Sequence, residues 1–426
     1  MRTSYRRMER KATGKIREIQ EGKVTLELPL PMAEVLAGAT EAVESLMGEA
    51  GRMLILAAMT SEAEGIAGRK HSRLSEREAH WWGRQKGYAY FAGRKIELPH
   101  PRVRGKDGRE TPLETYRAFQ NPARMEAAVA QRLLVNVSAR NYEKAVDQFI
   151  EGYGVRKSSV SRHFVAATAR QLREFMERDL SGLNLCALFM DGIGFADHLL
   201  VVALGLDVEG RKHVLGLWEG ATENEAVCRA LVEDMARRGL NMTGNYLFVL
   251  DGSKALRKAV TRAFGQDVAI QRCQAHKRRN VRGHLPLEHQ AAMDARIRSA
   301  YNMSSHEEAR KSLELTAKYL DRLNPSAAAS LREGMEETLT VHKLRVPETL
   351  RKTLATTNPI ESAFSITRHI TGRVKRWRNG NMVQRWAVAA LLEAEMKFRR
   401  VKGHRDLPKL LLTLKEKSFD GKEAAA

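Results

Sequence analysis

Asp191 and Asp251 are the charged residues at which two apolar runs end. LFMDGIGF (188–195) leads three apolar residues into Asp191-Gly192, and YLFVLDGSKAL (246–256) leads five into Asp251-Gly252. That pattern is how a buried strand delivers a carboxylate to the edge of a sheet. Lys and Arg total 72 against 51 Asp plus Glu, a formal net charge of +21. Such a surplus suits a polyanion, because basic side chains release condensed counterions from phosphate. Together the two features point to metal chemistry on nucleic acid. Phosphoryl transfer between DNA strands uses two divalent ions, one at the attacking hydroxyl and one at the leaving oxygen. Hard cations, magnesium or manganese, take carboxylate oxygens. A third carboxylate is offered by Glu361 in TTNPIESAFSITRHITGRVKRWRNG (356–380).

Each of these residues also has a plainer reading. Asp191 and Asp251 would serve as strand-end aspartates that cap following helices. Asn358 suits an N-cap and Pro359 the first helical position, which puts Glu361 at the third, where it would complete a capping box. Glu219 and Glu223 compete as the third carboxylate, and Asp207 reads as a turn residue. Glu361 is favoured by its helix: Ser365 and Arg368 share its face, and Arg368, Arg373, Lys375, Arg376 and Arg378 follow with no acid among them, beside Trp377. Such a strip would hold a scissile phosphate. Cys273, His276 and His284 raise the question of zinc, but no close Cys pair is present and a structural zinc site is not expected. His276, beside Lys277, Arg278, Arg279 and Arg282, fits a place near the phosphate or a structural pairing.

The elements that must position these groups read as follows. From Leu185 to Cys273 the pattern is mixed α/β, with strands at Asp191, 198–207 and 213–218 and a turn at 208–210. A helix over about 225–239 follows, then the strand into Asp251, a helix bearing Lys254, Arg257 and Lys258, and the strand VAIQRC (268–273). Three hairpin-connected strands followed by helix, strand, helix, strand is the order of a ribonuclease-H-like mixed sheet. GIGFADH supplies no dinucleotide-binding glycine loop. Residues 285–355 read as an all-helical insertion, with a capping box at Ser305-x-x-Glu308 and a break at Asn324-Pro325. One more amphipathic helix falls at 386–400, and the tail after Phe419 is expected to fray.

Upstream, 32–66 reads as two helices broken near Gly48 and Gly51, a packing or oligomerisation module. Residues 80–105 read as a basic hairpin of YAYF and RKIEL about Ala92-Gly93, stopped by Pro99 and Pro101. Its aromatic residues interleave with basic ones, a pattern that serves base stacking or a small β-core equally. Tyr142, Ala145, Val146, Phe149 and Ile150 follow a helical stripe, Gly152 and Gly154 break it, and Ser158 would cap a second helix with Val160 and Phe164 on its apolar side. Helix, glycine turn, helix is the order of a helix-turn-helix, with Lys157, Ser159, Ser161, Arg162 and His163 near the groove-reading start. The expected partition is 1–70 helical, 71–125 basic hairpin, 126–182 helix-turn-helix, 183–284 first catalytic part, 285–355 insertion, 356–405 second catalytic part and 406–426 tail.

No apolar run approaches a membrane span; MLILAAM (53–59) is the longest candidate. The basic start MRTSYRRMERK has no apolar stretch behind it, and Cys186, Cys228 and Cys273 are far apart, so a reducing, cytoplasmic setting near the nucleoid is expected.

MDG at Asp191, WEGATENEA (218–226), LDGSKAL at Asp251, QRCQAHKRRNV (271–281) and TTNPIESAFSITRHITGRVKRW (356–377) together resemble the bacterial Mutator-like transposases of insertion sequences, over about residues 70 to 400. The resemblance implies a DDE transposase whose metal-binding triad is Asp191, Asp251 and Glu361. It implies that Cys273 and His276 support the site and that Trp218 handles a flipped or displaced base. It further implies binding of double-stranded DNA, the element's terminal inverted repeats and a target, by a homodimer with two magnesium or manganese ions. A structure-specific nuclease of the same fold and a regulatory DNA-binding protein are the rival readings.

Overall fold

The structure is a computed structural model that describes residues 15–20, 23–27, 39–70, 78–91, 94–134 and 157–423. The chain divides into two compact units, 1–167 and 168–426.

In the first unit, strands β1 (Lys15–Gln20) and β2 (Lys23–Glu27) form an antiparallel pair. Helix α1 (Ala39–Ala67) is continuous, not two helices broken at Gly48 and Gly51. Gly51 is there for packing: a Cβ on it would lie 2.3 Å from the Phe91 ring. Strands β3 (Ala79–Phe91), β4 (Arg94–Gly105) and β5 (Glu110–Thr111) make an antiparallel sheet. Ile55, Met59 and Ala63 of α1 share its core with Ala89, Ile96, Leu98 and Val103. Contrary to expectation, β4 runs through Pro99 and Pro101. Both pair with β3, while β5 joins only at Val103 and Arg104, so the proline nitrogens need no partner on the open edge. Helices α2 (Glu114–Gln120) and α3 (Pro122–Leu134) follow. The carboxylate of Glu62 on α1 accepts from the Glu114 and Thr115 backbone N–H groups at 2.6 and 2.9 Å, capping α2 where Leu113 cannot.

Helix α4 (Lys157–Glu177) crosses the division between the units and contains Ser158 in its first turn. Val160 and Phe164 are buried, as the stripe predicts. The expected first helix of the helix-turn-helix, from Tyr142 to Ile150, and the glycine turn lie outside the described residues.

The second unit is built on one mixed sheet: β6 (Leu185–Phe195), β7 (His198–Asp207), β8 (Lys212–Gly220), β9 (Leu247–Leu250) and β10 (Ala269–Arg272). Its order is β8-β7-β6-β9-β10; β6, β7 and β8 are antiparallel, and β9 and β10 run parallel to β6. These strands are nearly continuous apolar runs because both faces are covered. On one face Leu188, Met190, Phe248 and Leu250 pack under helices α5 (Glu225–Arg237) and α6 (Lys254–Phe264). On the other, Phe189, Ile193, Val202, Leu204 and Val249 pack under residues from Val341 onward.

Between the faces the chain is helical. Helix α7 (Gln274–Gly283) leads into α8 (Leu287–Asn302), α9 (His306–Leu323) and α10 (Pro325–Arg332), which share a core of Ile297, Leu313, Leu320 and Leu331. Ser305 caps α9 through the Glu308 N–H, and Asn324 ends α9 and caps α10 through the Ala327 N–H. Short helices α11 (Met335–Thr338) and α12 (Thr340–Lys343) mark the change of core: Leu339 belongs to the helical cluster and Val341 to the sheet. Then come α13 (Glu348–Leu354), α14 (Asn358–Thr371), α15 (Gly380–Met396) and α16 (Leu407–Glu423). The tail expected to fray after Phe419 is helical to Glu423. No described helix is long and apolar enough to cross a membrane.

Candidate active site

Asp191 lies within β6, not at its end. Antiparallel pairing with β7 continues past it to Phe195, but parallel pairing with β9 stops at Met190–Leu250. The edge is made by the shorter neighbour, and Asp251 is the next residue along that neighbour. Asp251 lies just past the last paired residues, near enough for its charge to raise the Asp191 carboxyl, but it is not among the residues whose ligand atoms cluster with that of Asp191. Asp191 alternates with Phe189 and Ile193 toward the face covered by α14 and α15. It is buried, 8% exposed, and its Oδ1 accepts from the Gly192 N–H at 2.8 Å. Asp251 Oδ1 accepts from the Ser253 N–H at 2.8 Å, while Ser253 itself caps α6. Neither aspartate is a helix N-cap.

Glu361 reaches this point from α14. The capping box expected there does not form: Thr357 is the N-cap position, without a side-chain cap bond, which makes Asn358 the first helical residue and Glu361 the fourth. The Thr357 hydroxyl turns inward instead, 3.4 Å from Cys273 Sγ, 3.3 Å from His276 Nδ1 and 3.4 Å from Glu361 Oε1. Cys273 caps α7, its sulfur accepting from the backbone N–H of His276 at 3.5 Å and of Thr357 at 3.3 Å. His276 Nε2 lies 3.5 Å from Glu361 Oε1. Ligand atoms of Asp191, His276 and Glu361 all fall within 4.8 Å of one another.

The electrostatics are those of carboxylates crowded in a half-buried site beside one imidazole. Burial, then the neighbouring Asp251 and Glu361 carboxylates, push the Asp191 carboxyl up to about 7, against relief from the Gly192 N–H and His276. His276 is raised above an ordinary imidazole by the Cys273 sulfur, against burial, with Asp191 and Glu361 adding to the rise. Burial raises the Cys273 thiol, but hydrogen bonds from His276 and Thr357 outweigh it and leave it below the usual thiol range. Two carboxylates and an imidazole crowded in a half-buried pocket, with an Asp191 carboxyl that resists ionisation, fit a divalent cation.

Sequence reasoning missed Thr357, whose role needs the fold. The rival carboxylates also resolve. Glu219 is held by His198 Nδ1 and Gln384 Nε2, both at 2.7 Å. Asp207 accepts from the Glu209 and Arg211 N–H groups in the β7–β8 turn. Glu223 comes close: its carboxylate lies over Gly192, bonds with Ser253 and is raised by burial and Asp251, and its Oε1 is buried without a partner among the described residues. Trp218, in register with Val201, packs toward α5 and α6, on the opposite face from Asp191. It lines a cleft of about 500 Å³ with His198, Glu219 and Gln384.

The basic residues divide sharply. Lys277, one of the basic residues beside His276 that the sequence offers to a DNA phosphate, is buried with its side chain fully covered; its ammonium donates to the Ser330 and Glu333 carbonyls at 2.5 and 2.6 Å. A cation at the open carbonyl end of α10 is its role here, and this corrects the expectation. Arg278 is held in a two-bond pair with Asp294. Arg279 is exposed, and Lys254 is exposed 3.9 Å from Glu333. Arg368, Lys375, Arg376 and Arg378 are exposed. Arg373 is partly buried against the Trp386 ring, its terminal nitrogens without hydrogen-bond partners among the described residues, and Trp377 packs edge-on against Phe195 at 5.2 Å. In the first unit Ser161 and Arg162 are exposed, while His163 packs on Tyr90 and is held below an ordinary imidazole by burial. Lys157 lies at the start of α4.

Residues 32–400 match the family described as Transposase, Mutator family. The transposase for insertion sequence element IS6120 of Mycolicibacterium smegmatis is 30% identical over 242 residues, 55% of this chain and 73% of that protein. Those for IS406 of Burkholderia multivorans and ISRM5 of Rhizobium meliloti are each 26% identical. The first match covers 82% of this chain and 90% of that protein, the second 84% and 87%. A match over most of its length, carried by relatives of this kind, makes the chain a member of the Mutator family of transposases.

Proposed function

We propose that this protein cleaves DNA at the ends of its own element and joins the freed 3′-hydroxyl to another phosphodiester, using Asp191, Asp251 and Glu361 as a DDE triad. The observation that carries the reading is the meeting of Asp191, Glu361 and His276, whose ligand atoms lie within 4.8 Å of one another, with Asp251 following directly on the strand paired beside Met190 and near enough for its charge to raise the Asp191 carboxyl. A sheet of three antiparallel strands followed by two parallel ones supports a ribonuclease-H-like catalytic domain, split by the helical insertion.

The triad would hold two magnesium or manganese ions, which supply Lewis acidity at the attacking and leaving oxygens. The chain's own residues do the rest. Thr357 and His276 orient Glu361 from two sides, and Cys273 fixes Thr357 and His276 relative to each other. The exposed cations Arg368, Lys375, Arg376 and Arg378, which follow Glu361 in the chain, hold the DNA backbone. Burial of Asp191 keeps bulk water from competing for its oxygens. Terminal inverted repeats are the specific DNA, read by a helix-turn-helix whose second helix is α4, and a homodimer pairs the two ends.

A junction assay tests this. The element is carried on a plasmid with the parent protein or Asp251→Asn, and abutted ends and new insertions are sought by sequencing. Junctions with the parent alone are expected, with end binding kept by the variant. Junctions with both would refute the triad, and end binding without junctions from either would favour a regulatory protein.

A further inference from the structure

Among the described residues the Asp251 carboxylate is held by a hydrogen bond from the Ser253 N–H, so its direction depends on the backbone of the loop it begins. The next residue, Gly252, has φ +111°, and a Cβ on it would lie 2.5 Å from Arg272 Nε. Gly334, with φ +63°, lies against the same guanidinium: a Cβ on it would lie 2.5 Å from Arg272 Nη1. Arg272 is therefore packed closely against two glycine backbones, one in the Asp251 loop and one in the helical insertion. It is buried, 8% exposed, with Nη1 donating to the Glu333 carbonyl and Nη2 to the Glu333 carboxylate, both at 3.1 Å. All its hydrogen bonds go to the insertion, and its edge against Gly252 makes none, since Nε is buried without a partner among the described residues.

We infer that Arg272 is a positioning residue that ties the direction of Asp251 to the docking of the helical insertion. The insertion sets where the guanidinium lies, and the guanidinium sets where Gly252 lies. This rests on the reading of Asp251 as a metal ligand. The flat, five-donor head of arginine suits close packing on two glycine backbones; lysine would keep the charge and lose the plate. Partners of this kind, one step behind a ligand, typically change metal affinity by about 10- to 100-fold when altered.

The test is a titration of the full-length protein with Mn²⁺ alone, free Mn²⁺ being read by electron paramagnetic resonance and folding by thermal melting. Arg272→Lys and Gly334→Ala are each expected to weaken Mn²⁺ binding about tenfold or more, although Gly334 belongs to the helical insertion and not to the Asp251 loop. Arg257→Ala removes a different tie between α6 and the insertion, the 2.5 Å pair with Glu337, and is expected to leave Mn²⁺ affinity unchanged. In an Arg272→Ala background, which removes the clash, Gly334→Ala should add nothing, the signature of action through one shared group. Affinity lost in Asp251→Asn but kept in Arg272→Lys and Gly334→Ala would overturn the inference alone, as would equal losses in Arg257→Ala. Affinity kept in Asp251→Asn would overturn the metal reading and the inference with it.

Discussion

In buffer stripped of divalent cations, Asp191→Asn is expected to melt well above the parent protein at pH 8 and close to it at pH 4. The cause is burial. The Asp191 carboxyl, ordinarily at 3.8, is pushed to about 7 by burial and by its acidic neighbours, so the folded state binds its proton more tightly than the unfolded chain. Stability associated with that proton is complete below about pH 4 and is lost as pH rises through 7. At about 1.36 kcal/mol per pH unit, three units amount to roughly 4 kcal/mol, an upper figure for a cluster whose members relax together. Asparagine keeps the shape and the bond from Gly192 and never ionises. The advantage of the variant should therefore grow from about zero at pH 4 to as much as about 4 kcal/mol at pH 8, or roughly 8–16 °C for a unit of this size. Differential scanning fluorimetry of both proteins from pH 4 to 8, with chelator, measures it. Magnesium should then raise the parent's melting temperature and leave the variant's nearly unmoved. Parallel pH profiles for the two proteins would refute the reasoning, because they would mean that Asp191 ionises freely without a cation.

Lys277→Met should lower stability by about 2–4 kcal/mol, since two buried carbonyls lose their donor, while end binding by the folded fraction stays unchanged. Denaturant melts and gel-shift titrations separate the two effects. Replacing Lys375, Arg376 and Arg378 together with glutamine should leave the melt unchanged and flatten the dependence of log affinity on log salt by about 2.7, if each meets one phosphate. Thr357→Val should cost strand-transfer rate more than stability, because it removes the hydroxyl between Cys273, His276 and Glu361 without opening a cavity. Single-turnover rates beside melts would check it.

The sheet of the second unit was legible because buried strands are apolar on both faces, and an aspartate inside such a run is conspicuous. That is why Asp191 and Asp251 could be singled out, and why the strands and α5 fall close to their expected limits. Pairing was not legible: whether Asp191 ends a strand depends on how far β9 extends beside it, and whether Trp218 faces the site depends on register. Glu361 was found from its surroundings although its cap was misread, since Thr357 faces groups 81 and 84 positions away. Lys277 shows the sharpest limit. Within KRRN it looks like any surface cation, and only the carbonyls of Ser330 and Glu333, more than fifty positions later, make it a core residue. Gly51 and the two prolines of β4 failed for a related reason: local propensity disfavours them, and tertiary packing decides.

The insertion also sets a timetable. Asp191 and Asp251 leave the ribosome well before Glu361, which follows Asp251 by 110 residues. At about 5–20 residues per second that interval is roughly 6–22 s. For that time the sheet face bearing Phe189, Val202 and Val249 lacks the helices that will cover it. A chain interrupted between Asp251 and α14 would hold two of the three proposed ligands and not the third, together with an uncovered apolar face. If Asp191, Asp251 and Glu361 act as proposed, the site is thus completed only after the insertion has been made.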